Sequence, residues 1–61
     1  MANDYLAGVL ISLGSLLRST KSRITRAREE RDQVSLNDLN AAHSSLERAI
    51  NELHMIMAGL R

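Results

Sequence analysis

Leu6, Leu10, Leu13, Leu17, Thr20, Ile24, Ala27, Arg31 and Val34 follow one another at alternating steps of four and three residues. This alternation gathers them on one line of an α-helix, whereas a strand would send them to both of its faces. The second half repeats the period: Leu36, His43, Ile50 and Met57 hold one core position, and Leu39, Leu46, Leu53 and Leu60 hold the other. Each helix therefore carries an apolar seam that must be covered, and the nearest cover is the other helix. Composition agrees, because the chain has no proline, tryptophan or phenylalanine and one tyrosine, while leucine, alanine, serine and arginine dominate.

Asn3 or Asp4 can cap the first helix, and Ser35 followed by Asp38 resembles a capping box for the second. The pattern predicts a first helix over residues 4–32, a turn at 33–35 and a second helix over 36–60. Folding back there brings Leu6 to Leu60, Leu10 to Met57, Leu13 to Leu53, Leu17 to Ile50, Thr20 to Leu46, Ile24 to His43 and Ala27 to Leu39. At about 1.5 Å per residue the arms measure roughly 43 and 37 Å, so their ends meet. The expected fold is all-α: a single antiparallel two-helix hairpin of coiled-coil type spanning residues 1–61. Its core is Leu6, Leu10, Leu17, Ile24, Leu39, Leu46, Ile50, Leu53 and Met57.

Such a hairpin leaves apolar surface uncovered. Val9 and Leu16 flank the first seam, and Ala42, Ala49 and Ile56 flank the second, with Ile11 and Met55 farther round. A stripe this wide suits a helix bundle rather than a lone pair of helices. A 61-residue chain seldom draws more than about 3–5 kcal/mol from one core, and with no cysteine there is no disulfide to add to it. The hairpin is therefore expected to complete a bundle with a partner chain or as a dimer. The expected protein interface is Val9, Leu13, Leu16, Ile56 and Leu60, at the open end, because the turn-proximal half holds the charges. Gly8 and Gly14 each cost about 1 kcal/mol inside a helix, and Gly14 is the better candidate for a close backbone approach.

Other function classes find little to stand on. The apolar run 6–17 is shorter than the roughly 20 residues needed to span a bilayer, and the acidic Asp4 ahead of it does not suit an export signal. Six of the eight basic residues (Arg18, Lys21, Arg23, Arg26, Arg28, Arg31) fall within residues 18–31. Glu29, Glu30 and Asp32 interrupt them, Arg26–Glu30 and Arg28–Asp32 are spaced for salt bridges, and no nearby aromatic could stack on a base, so nucleic acid is not the expected partner. His43 sits in the seam and His54 beside it, about 16 Å apart along one helix, too far to share a metal. His43 is expected to be a half-buried, hydrogen-bonded structural residue. With no nucleophile–base set, no glycine-rich phosphate loop and no cofactor motif, we expect no catalytic, cofactor or metal site, and no enzyme.

The segment 46–61 carries Leu46-Glu47, Ala49-Ile50, the aliphatic Leu53 then His54, and Ala58-Gly59 before Leu60 and a basic Arg61. In this quarter of the chain it resembles the end of the small type III secretion needle co-chaperones of the YscE, PscE and EscE kind. It departs from them in having Leu36 where they carry tyrosine, and in having no glycine at the predicted turn. The resemblance implies a short cytoplasmic helical hairpin that stabilises a larger helical-repeat chaperone and so helps keep a needle subunit unpolymerised. Two other functions fit the same architecture: a homodimeric four-helix-bundle RNA-binding regulator of the Rop type, and an antagonist hairpin that blocks a host protein.

Overall fold

The computed structural model describes residues 2–59. Among them there are two helices and no strand: α1 (Ala2–Glu29) and α2 (Gln33–Met57), packed against each other. At about 1.5 Å per residue α1 is roughly 42 Å long, and the whole molecule measures 44 × 18 × 11 Å. A helix running unbroken through the junction would be near 85 Å. The chain is thus a hairpin two helices wide and one helix deep.

The seam falls where the period places it. Ile24 and Ala27 are buried, and Leu6, Leu10, Leu13, Leu17, Thr20, Leu36, Leu39, His43, Leu46, Ile50, Leu53 and Met57 are half-buried. A layer one helix deep shields each seam from one side only, which is why α2 has no fully buried residue. The pairing expected for Leu60 lies outside the described residues.

The junction corrects the predicted boundaries, for it comes three residues early. Arg31 has φ +57°, its amide donates to the carbonyl of Arg28 at 3.2 Å, and the amide of Asp32 donates to that of Ala27 at 2.9 Å. This is a Schellman ending, whose left-handed residue is usually glycine. Here an arginine holds it, so the stop signal was invisible in the sequence. Arg31 is consequently a turn residue and not a seam residue, and Val34, in the first turn of α2, is 73% exposed.

Asp32 joins the helices. Its amide closes α1, its carbonyl accepts from Leu36 at 3.0 Å to open α2, and its carboxylate accepts from the Ser35 amide at 3.2 Å and the Ser35 hydroxyl at 2.6 Å. Ser35 is therefore capped rather than capping, because an ionised carboxylate satisfies the free amide better than a hydroxyl does. The other expected cap also moves: α1 begins at Ala2, so Asn3 and Asp4 lie within its first turn.

Candidate partner-binding face

In heptad terms, Val9 and Leu16 on α1 and Ala42, Ala49 and Ile56 on α2 project to the same broad side of the hairpin. Leu16 is 54% and Ile56 45% exposed. Val9 and Ala49 are half-buried, and Ala42 is exposed. Of the other expected interface residues, Leu13 is half-buried in the hairpin's own seam, and Leu60 lies outside the described residues. The structure adds Tyr5 to this side, 71% exposed and in line with Val9, Ser12 and Leu16 at steps of four, three and four. That second, parallel alternation was the signal for it, hidden by the stronger seam beside it. Ile11 and Met55 are exposed as well, on other sides of their helices.

The same side changes character toward the turn. There it becomes an open cleft of about 570 Å³ lined by Arg23, Arg26, Glu30, Asp32, Asp38 and the hydroxyls of Ser19, Ser22 and Ser35, with Ala27 and Leu39 at its floor. The expected salt bridges of the basic run do not form. Asp32 is engaged by Ser35 rather than by Arg28, and among the described residues Arg26 and Glu30 make no ion pair. The Asp32 carboxyl is held below its ordinary pKa, first by the Ser35 hydroxyl and then by the Ser35 amide.

His43 is a half-buried seam residue whose Nδ1 lies 3.2 Å from Oε1 of Glu47, one turn along α2. The described residues contain no group of His, Cys, Asp or Glu placed to hold a metal ion. No helix among them is long and apolar enough to cross a membrane.

Surface area measures the incompleteness of the fold. A globular protein of 6.8 kDa exposes about 4,000 Å², while this one exposes 4716 Å². The surplus, roughly 700 Å², is that of a chain too elongated to shield its own seam. The radius of gyration, 14.0 Å, likewise exceeds the 10–11 Å or so of a compact domain of this length. Fold and face together define a helical hairpin with one apolar side uncovered. No protein-family model matches the chain, and no curated protein or solved structure does so either.

Proposed function

We propose that this chain is a protein-binding co-chaperone, a hairpin that lends its uncovered side to a larger helical-repeat chaperone and so helps keep a type III secretion needle subunit unpolymerised in the cytoplasm. The observation that carries the binding role is the exposed apolar strip of Tyr5, Leu16 and Ile56. Leu16 and Ile56 sit beside the seam and stay about half exposed, so each forfeits roughly 0.8–1.5 kcal/mol of burial while it faces water. A helical-repeat surface, which offers grooves between helices, suits such a strip. The chaperone role is supported by the likeness of segment 46–61 to the needle co-chaperones.

The test is purification of the tagged chain from its native cell, beside its Leu16→Asp variant. The wild type should bring down a helical-repeat protein with a needle subunit, and the variant should lose both while keeping its helix content by circular dichroism. Wild-type chain recovered without any helical-repeat protein would remove the co-chaperone assignment. An Asp variant that retains the complex would instead move the interface to another side of the hairpin.

A further inference from the structure

The uncovered side carries both halves of its own complement. Ala27 and Leu39 both line the turn-end cleft, which agrees with the register that pairs them across the hairpin. About one and a half and two and a half heptads farther out, Leu16 comes level with Ala49, and Val9 with Ile56, to within a residue. We infer that a second copy of this chain seats itself on this side with its open end beside the first copy's open end, giving a two-layer, four-helix dimer about a two-fold axis parallel to the helices.

In that arrangement α1 of each copy lies over α2 of the other. Leu16 meets Ala49 of the second copy, a large side chain against a small one, and Val9 meets Ile56 of the second copy. Arg26, which makes no ion pair among the described residues, comes level with Asp38 of the second copy, and the two-fold axis repeats every contact. The reverse seating, turn over open end, would set Val9 and Ile56 against the charged cleft and desolvate Arg26 and Asp38 beside aliphatic groups. The inference rests on the symmetry of the face and does not depend on the co-chaperone assignment; a helical-repeat chaperone using the same side would have to displace the second copy.

Sedimentation equilibrium on the full chain tests it. Arg26→Asp and Asp38→Arg should each weaken the dimer roughly tenfold, and the double variant should restore it. A spin label at Gln33→Cys should report the two turns about 10–20 Å apart, the width of the bundle, whereas the reverse seating would separate them by most of the 44 Å length. A chain that stays monomeric to about millimolar concentration would overturn the dimer. So would a long label–label distance, or a double variant that associates no better than the singles while circular dichroism shows all of them helical. Failure to capture a helical-repeat protein would leave these readings untouched, because the charge-swap pair probes self-association alone.

Discussion

Arg31 and Asp32 set where the chain turns back. An L-residue in the left-handed region is strained by about 1–2 kcal/mol, part of which glycine would return as unfolded-state entropy. Arg31→Gly should therefore stabilise the hairpin by roughly 0.5–1 kcal/mol, read as a higher midpoint in urea, while Arg31→Val should lower it. Asp32 makes the hairpin acid-sensitive. Its folded pKa is depressed by Ser35, so its contribution is complete above the unfolded-state value and is lost as pH falls through the folded one. Melting temperature should drop on acidification from about pH 5 toward pH 2, and Asp32→Asn, which keeps an acceptor but cannot titrate, should flatten that drop.

At the scale of the elements, Gly14 sits in mid-helix without an intramolecular need for it. A Cβ there would meet only Nη1 of Arg18, at 3.8 Å. Gly14→Ala should thus raise the melting temperature, by an amount matching about 1 kcal/mol. The two helices, their seam and their antiparallel pairing were legible in the sequence because a period is redundant: misjudging Arg31 or Val34 leaves a dozen other positions in agreement. The junction was not legible, since it rests on one backbone angle and one carboxylate, and an arginine occupies the position that glycine would have announced. Of the face, Leu16 and Ile56 stand exposed as their flanking positions suggested. Tyr5 was missed beside the stronger seam, and the cleft was missed because Arg26 and Glu30 were expected to neutralise each other along one helix.

For the molecule as a whole, one layer of two helices cannot shield its own seam. Melts by circular dichroism over a hundredfold dilution should shift to lower temperature as the chain is diluted, because association supplies the missing cover. Leu16→Asp should abolish that shift while leaving most of the helix content. The position of the buried pair has a kinetic consequence. Ile24 and Ala27, the most protected side chains, lie within a few residues of the turn, where the loop to be closed is shortest and the entropy of closing it smallest. The hairpin should therefore zip from the turn outward and fray from the other end. Amide exchange should be slowest around Ile24 and Leu39 and fastest around Leu10 and Leu53, until the face is covered, when the outer half should slow most. The partner thus meets the last segment to order, and the lifetime of the complex becomes the lifetime of the outer half of the fold.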